Sequence, residues 1–198
     1  MSRTKVVDWV DIEAPRQEVF ELIMNLERRM QLSPLWGVAK IDEISTDYPS
    51  VGSSYHVQLV KGEPVSYDTI ITEYEPGRKF AYRLTSEQKS TVSWSFQDSA
   101  QGMRVIYEEQ FDVDQQDKEA FTASVHEVVH KWMQNIKRYS ELRGSRIRLV
   151  VKWLLDRFYL RMRMDQRRVV QTILVMQFVG IISFIMAAIA MGIATLVS

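Results

Sequence analysis

The last thirty residues of the chain carry no charged side chain, and this segment constrains the fold more than any other. Residues 169–198 read VVQTILVMQFVGIISFIMAAIAMGIATLVS. The hydrocarbon core of a bilayer is about 30 Å thick, and a helix of roughly 20 apolar residues crosses it. A buried helix in a soluble domain would usually carry a polar stripe, which this segment lacks. Residues 169–198 are therefore predicted to form a C-terminal transmembrane helix that anchors the protein.

The charges of the remaining chain are divided between two segments. Residues 1–142 contain 16 Lys and Arg against 23 Asp and Glu, whereas residues 143–168 contain nine Arg and Lys against two Asp. The net charge of zero is thus a cancellation between an acidic body and a basic segment. Cations next to a span favour the cytoplasmic side, and the N-terminus has no signal-peptide core. The predicted parts are a cytoplasmic domain (1–142), a basic juxtamembrane segment (143–168) and the anchor (169–198).

This division excludes several classes of protein. An acidic folded body disfavours nucleic-acid binding, which depends on cations that neutralise phosphates. The chain has no cysteine, so disulfides, thiolate nucleophiles and cysteine metal sites are excluded.

The basic segment is predicted to form an amphipathic helix that lies at the membrane surface. An apolar face of Leu149, Val150, Trp153, Leu154, Phe158 and Tyr159 would enter the headgroup layer, with cations on lipid phosphates. The candidate membrane-surface residues are Arg146, Arg148, Lys152, Trp153, Arg157, Arg161, Arg163, Arg167 and Arg168. The pattern leaves two alternatives open: a charged stalk that only sets topology, and packing against an integral membrane protein partner.

The acidic body has the pattern of a strand, short helices, a strand meander and a long helix. Residues 5–13 alternate as a strand, and Pro15 favours a helix start. Turn signals then separate strand-like segments at roughly 38–45, 53–61, 64–74, 78–86, 90–98 and 102–113. A helix from about residue 116 to 142 carries one apolar face. The predicted fold is α+β, with a curved antiparallel sheet of about seven strands around the long C-terminal helix.

Several short sequence motifs, in this order of elements, resemble those of the SRPBCC superfamily, also called START-like or helix-grip proteins. The motifs are Ile12-Glu13-Ala14-Pro15 followed by Glu18-Val19-Phe20, then Leu32-Ser33-Pro34-Leu35-Trp36, Val51-Gly52-Ser53 and Glu73-Tyr74-Glu75-Pro76-Gly77-Arg78. The resemblance covers residues 5–142. The superfamily includes polyketide cyclase/dehydrase-like and coenzyme Q-binding START-like proteins. The resemblance implies a helix-grip fold with a cavity between the sheet and the long helix. It says little about activity, because these motifs are structural.

Period-2 alternation on the strands and the apolar face of the helix give candidate linings for such a cavity. The candidate ligand-binding residues are Trp36, Tyr55, Val57, Leu59, Tyr82, Trp94, Phe96, Tyr107, Glu109, Val125, Val129, Trp132 and Met133. Taken singly, each of them fits a role in an ordinary core better, and the cavity as a whole rests on the fold that the resemblance implies. Glu109 is the single carboxylate on an apolar strand face, either a polar anchor or proton acceptor in the cavity or a side chain turned to solvent. Trp36 either closes the cavity mouth or caps the core.

One string matches a catalytic pattern, and its geometry argues against that chemistry. His126-Glu127-Val128-Val129-His130 has the spacing of a zinc metalloprotease helix. These side chains point away from the apolar face of the helix, and a zinc site needs a third protein ligand. No catalytic residue and no metal site are therefore predicted.

The leading hypothesis is a membrane-tethered START-like protein, more binding protein than enzyme, whose partners are membrane lipids and a hydrophobic small molecule. The bound molecule would be a lipid, an isoprenoid quinone or a pigment. An accessory subunit of a membrane complex, with an integral membrane protein as partner, is the second hypothesis. A cyclase- or dehydratase-like enzyme acting on a membrane-derived substrate is the third.

Overall fold

The protein consists of two compact units, Met1–Arg161 and Met162–Ser198, in a computed structural model. The structure describes residues 2–34, 39–61, 63–85, 90–100, 102–113, 118–162 and 164–197.

The first unit is built on one seven-stranded antiparallel sheet. Its strands are β1 (Ser2–Ile12), β2 (Ala39–Asp42), β3 (Ser54–Lys61), β4 (Glu63–Glu75), β5 (Lys79–Leu84), β6 (Thr91–Ser99) and β7 (Gly102–Val113). The spatial order β1-β7-β6-β5-β4-β3-β2 is a meander from β2 to β7, with the N-terminal strand added beside the last one. The curved antiparallel sheet predicted from the turn signals is confirmed.

Two short helices and one long helix accompany the sheet. They are α1 (Arg16–Met24), α2 (Leu26–Gln31) and α3 (Lys118–Ser140). Pro15 occupies the N-cap of α1, one residue before the first helical position that proline favours, and the Asn25 side chain accepts a hydrogen bond from the Arg28 backbone N–H at the start of α2 (2.9 Å). The helix predicted after Pro15 is therefore present and is divided in two at Asn25.

The core lies between α3 and the sheet. Helix α3 buries Val129, Trp132, Met133, Ile136 and Tyr139, whose spacing of three and four residues is that of one helical face. The Trp132 ring meets the Trp94 ring edge to face, with centroids 5.4 Å apart. The sheet thus wraps the long helix α3, which confirms the helix-grip arrangement.

The basic segment is interrupted rather than one helix. Helix α4 (Arg146–Arg157) is followed by a 3-10 turn (Tyr159–Arg161) and then by α5 (Met164–Val197). Helix α4 belongs to the first unit, and one of its faces packs on the rest of that unit, because Asp156 forms a 2.8 Å ion pair with Arg28 and accepts a hydrogen bond from the Tyr139 hydroxyl. Tyr159, expected on the apolar outer face, instead packs partly buried against the core.

Helix α5 makes up nearly all of the second unit. Within the described residues, one stretch is long and apolar enough to cross a membrane, Val169–Ala187, with a mean hydropathy of 2.2. None of this stretch is buried within the protein. A C-terminal apolar helix able to anchor the chain is thus present, in the place that the uncharged segment predicted.

Two glycines give a paired test of the close approach between β1 and the turn before β7. A Cβ at Gly102 (φ +123°) would lie 2.6 Å from the Ile12 carbonyl oxygen, whereas a Cβ at Gly52 (φ +92°) would meet no atom within 4 Å. We expect Gly52→Ala to cost about 1–2 kcal/mol from backbone strain, and Gly102→Ala about 2–5 kcal/mol because the clash adds to that strain. Urea unfolding of the full chain in mild detergent, followed by circular dichroism, measures the free energy of unfolding of both variants. Equal losses of stability would contradict the close approach at Gly102.

Candidate functional site

A cavity of about 150 Å³ lies between the concave face of the sheet and α3. The strands contribute residues to it at period 2, so that successive inward side chains line one surface. The lining residues are Arg29, Met30, Tyr55, Val57, Tyr67, Thr69, Tyr82, Leu84, Val92, Tyr107, Glu109, Ser124, Val125, Val128, Val129 and Trp132.

Solvent exposure divides this lining into a floor and a mouth. The cavity floor consists of the buried residues Arg29, Met30, Tyr55, Val57, Thr69, Tyr82, Val92, Tyr107, Val129 and Trp132. The cavity mouth consists of Tyr67, Leu84, Glu109, Val125 and Val128, which are partly exposed, together with the exposed Ser124. A ligand would therefore enter past the N-terminal half of α3.

The volume limits what the cavity can enclose. Pockets for drug-sized ligands measure about 300–1,000 Å³, whereas an apolar cavity of about 150 Å³ holds a molecule the size of benzene. A ring or the end of a chain fits within the walls as they stand. A longer molecule would extend through the cavity mouth.

Glu109 sits at the cavity mouth in a small hydrogen-bonded group. One carboxylate oxygen accepts a hydrogen bond from the Ser90 hydroxyl (2.7 Å), and the other accepts one from the Tyr107 hydroxyl (2.7 Å). Strand register explains the second contact, since Tyr107 and Glu109 are two residues apart on β7 and face the same side. Of the two interpretations from the sequence, the position in the cavity is the one that the geometry matches.

Arg29 brings a guanidinium to the cavity floor. It is 2% exposed. Its Nη1 donates to the Ile23 carbonyl oxygen (3.1 Å), and its Nη2 donates to the Tyr55 hydroxyl (2.9 Å). The guanidinium carbon also lies over the rings of Phe80 and Tyr82, 5.3 Å and 5.1 Å from their centroids. Cation–π contacts of this kind stabilise a cation that has left water.

Burial holds three tyrosines of the cavity lining, Tyr67, Tyr82 and Tyr107, in their protonated form. Burial raises the pKa of Tyr82 and of Tyr107 well above the ordinary value, and it does the same at Tyr67. For Tyr107, the neighbouring Glu109 charge raises the pKa further. These phenols are therefore neutral hydrogen-bonding groups at physiological pH.

Most candidate ligand-binding residues from the sequence line the cavity. They are Tyr55, Val57, Tyr82, Tyr107, Glu109, Val125, Val129 and Trp132. Trp94, Phe96 and Met133 lie instead in the packed core. Trp36 and the side chain of Leu59 lie outside the described residues.

Eight lining residues are outside that candidate list: Arg29, Met30, Tyr67, Thr69, Leu84, Val92, Ser124 and Val128. For Tyr67 and Thr69 the signal was available, because they alternate on β4 in register with Val57 and Tyr55 of β3. For Arg29 there was none, since an arginine in a charged helix normally indicates an exposed face.

The His126–His130 pair lies on the outside of the domain. Both histidines border an open groove of about 1080 Å³ between β1 and α3, and their rings stack with centroids 6.4 Å apart. His130 Nδ1 lies 3.0 Å from an Asp8 oxygen, and Glu127 pairs with Lys131 at 2.5 Å. Within the described part of the chain, no three His, Asp or Glu side chains converge as a metal site would require.

The candidate membrane-surface residues fall into different environments. Trp153 is 57% exposed on the outer side of α4, together with Ile147, Val150 and Leu154, and Arg146, Arg148 and Arg157 lie on the same helix. Lys152 faces the first unit, with its Nζ 4.8 Å from the Tyr139 ring centroid. Arg161 is exposed in the 3-10 turn, and Arg167 is buried. Arg163 and the side chain of Arg168 lie outside the described residues.

Comparison with known proteins places the first unit in one sequence family. The profile of the family described as polyketide cyclase/dehydrase and lipid transport matches residues 3–141. No curated protein matches the sequence.

Solved structures similar to the first unit share its fold at low sequence identity. Protein CV1439 from Chromobacterium violaceum has a TM-score of 0.57 at 13% identity, covering 69% of this chain and 97% of that one. The di-domain ARO/CYC BexL from the BE-7585A biosynthetic pathway has a TM-score of 0.56 at 15% identity, over 72% of this chain and 51% of that one. Protein NE0264 from Nitrosomonas europaea has a TM-score of 0.54 at 11% identity, over 67% and 91%.

The buried phenols predict how stability responds to alkaline pH. Above about pH 10 the unfolded chain releases tyrosine protons that the native cavity retains, so the free energy of unfolding should fall as the pH rises. Each such tyrosine contributes a slope of about 1.4 kcal/mol per pH unit, and Tyr82→Phe should remove one of these contributions. Urea unfolding from about pH 8 to pH 11 measures how the free energy of unfolding of each protein depends on pH. Identical slopes for the wild type and Tyr82→Phe would contradict the retained proton on Tyr82.

Proposed function

Because the chain belongs to the polyketide cyclase/dehydrase and lipid transport family, we propose that it is a membrane-tethered protein that binds a hydrophobic molecule between its sheet and α3. The family supports hydrophobic ligand binding or a cyclase-like role. The observation that carries the proposal is the cavity itself, whose walls are mostly aromatic and aliphatic. The candidate ligands are a lipid, an isoprenoid quinone or a pigment, with a ring or chain end inside the cavity.

The C-terminal helix supports the tethering part of the proposal. An apolar ligand partitions into the bilayer, and a domain joined to α5 would stay within a few nanometres of that reservoir. Local presentation of the ligand suits such an anchor better than transfer between compartments. The cations of residues 143–168 favour a cytoplasmic position for the domain.

A variant that fills the cavity tests ligand binding. The full chain is purified in mild detergent, and its bound small molecules are extracted and identified by mass spectrometry. We expect one class of hydrophobic molecule to accompany the wild type in near-stoichiometric amount. Val125→Trp should lose it because the larger side chain occupies the cavity, whereas Val51→Trp, at a site 62% exposed, should retain it.

The same preparation separates this proposal from the accessory-subunit hypothesis. Stable co-purifying membrane proteins and no molecule that Val125→Trp displaces would contradict ligand binding. That outcome would instead favour a domain whose surfaces serve assembly.

A cyclase- or dehydratase-like activity is the second candidate, and one observation favours it. Glu109 and Tyr107 are hydrogen-bonded to each other and both line the cavity, so a proton acceptor and a proton donor face the same ligand. If the protein catalyses a dehydration, Glu109→Gln should co-purify with the substrate, which is one water heavier than the product bound to the wild type. The same molecule in both preparations would indicate a binding protein.

Helix α4 is proposed to lie in the headgroup layer. The side that packs on the first unit carries Asp156 and Lys152, and the opposite side exposes Ile147, Val150 and Leu154. An amphipathic helix with exposed apolar residues and flanking arginines is typical of membrane-surface binding.

Trp153 reports whether α4 reaches lipid. In nanodiscs that contain bromine-labelled lipid, we expect wild-type tryptophan fluorescence to be quenched, and Trp153→Phe to remove most of that quenching because its ring would be in the headgroup layer. Trp9→Phe is the matched control, since Trp9 is similarly exposed (52%) but lies on β1 against Arg104. Equal quenching in wild type and Trp153→Phe would favour a stalk that only sets topology.

A further inference from the structure

Arg29 on the cavity floor carries a buried charge that the protein leaves uncompensated. Among the described residues, no carboxylate lies within ion-pair distance of this guanidinium. Its neighbour Arg28 provides the contrast, since it pairs with Asp156 at 2.8 Å outside the cavity. Buried charges in proteins are normally paired, so an unpaired guanidinium indicates that a partner comes from elsewhere.

The other polar groups of the cavity do not supply that partner. The Glu109 oxygens already accept hydrogen bonds from Ser90 and Tyr107 at the cavity mouth. In the sheet, Glu109 of β7 lies opposite Val92 of β6, and Val92 lies opposite Tyr82 of β5. Two strand spacings therefore separate Glu109 from Tyr82, whose ring lies under Arg29, a distance of about 10 Å. Tyr82 is neutral, as described above. The floor therefore carries a net positive charge.

The guanidinium also keeps a donor free. Nε of Arg29 is buried without a hydrogen-bond partner, whereas Nη1 and Nη2 donate to Ile23 and Tyr55. The Tyr55 hydroxyl accepts from Arg29, so its own hydrogen is available for a second contact. Arg29 and Tyr55 both line the cavity, and a carboxylate group can accept hydrogen bonds from two such neighbouring donors.

We propose that the cavity binds an apolar carboxylic acid whose carboxylate lies against Arg29 and Tyr55. This inference rests on the proposed function and narrows its ligand class. The apolar part of the acid would contact the valines of the floor, Val57, Val92 and Val129. A cavity of about 150 Å³ encloses one ring or a short chain next to the carboxylate, so a longer acid would leave its tail in the mouth.

A pair of ligands of equal shape tests this inference on the full chain in nanodiscs. Phenylacetate and phenylacetamide differ in charge but hardly in size. Titration calorimetry, with empty nanodiscs as the blank, should show the acid binding roughly tenfold or more tightly than the amide, because a charge-assisted contact replaces a neutral one.

Three arginine variants make the test specific to one side chain. Arg29→Gln should reduce the acid-to-amide preference to about one, and Arg28→Gln should leave it unchanged because Arg28 points away from the cavity. Arg29→Lys retains the charge and should recover part of the preference. If Arg29→Gln does not fold, the wild-type comparison of acid with amide still decides the question.

The outcomes separate this inference from the proposed function. Equal binding of acid and amide by the wild type would overturn the carboxylate partner while leaving a cavity for apolar ligands. Binding of neither would overturn both. Oleate added to the nanodisc tests the source of the acid: displacement of phenylacetate by oleate and not by oleyl alcohol supports a membrane-derived acid. Displacement by neither supports a water-soluble acid.

Discussion

The contacts of Trp132 hold together the elements on which the site depends. Its ring packs edge to face on Trp94 of the sheet and lies 5.9 Å from the Tyr107 ring, while its indole N–H donates to the Arg29 carbonyl oxygen at 3.0 Å. One side chain of α3 thus joins the helix to the concave face and to α2. Because the Arg29 backbone is fixed there, its side chain is directed to the cavity floor. Without these contacts, α3 would not be fixed against the sheet and α2, and neither the cavity nor the buried position of Arg29 would be defined.

Elements with a strong local signal could be predicted from the sequence, and contacts between distant segments could not. Turn residues and alternation located β2 to β7, and the apolar face of residues 116–142 located α3. The pairing of β1 with β7 joins residues about a hundred positions apart, which no local pattern encodes. In the site, alternation found Tyr55, Tyr82 and Tyr107. It missed Arg29, because a cation is normally solvated and only the tertiary fold explains its burial.

The basic segment is attached to the acidic part of the chain through its helix α4. The basic segment does not form one continuous stalk, because α4 is held to the acidic residues 1–142 by Asp156, a carboxylate of the basic segment that contacts both Arg28 and Tyr139. That attachment turns the apolar residues of α4 outward, where Ile147 is 76% exposed. A helix that only set topology would have no need of such a face. If α4 lies in the headgroup layer as proposed, this orientation would hold the first unit closer to the membrane surface than a flexible connection would.

If the cavity binds a ligand as proposed, the buried guanidinium and the apolar C-terminal helix together narrow the chemistry of that ligand. A purely hydrocarbon ligand would leave the Arg29 charge unpaired in a low-dielectric cavity, and its binding would remove any water that solvates that charge. An amphiphile with one anionic end avoids this cost, because its charge pairs on the floor while its apolar part replaces water along the valines. Amphiphiles of that kind also concentrate at the bilayer interface, where the anchor and α4 would hold the domain. The arrangement therefore favours recognition of an acid end over recognition of apolar bulk alone.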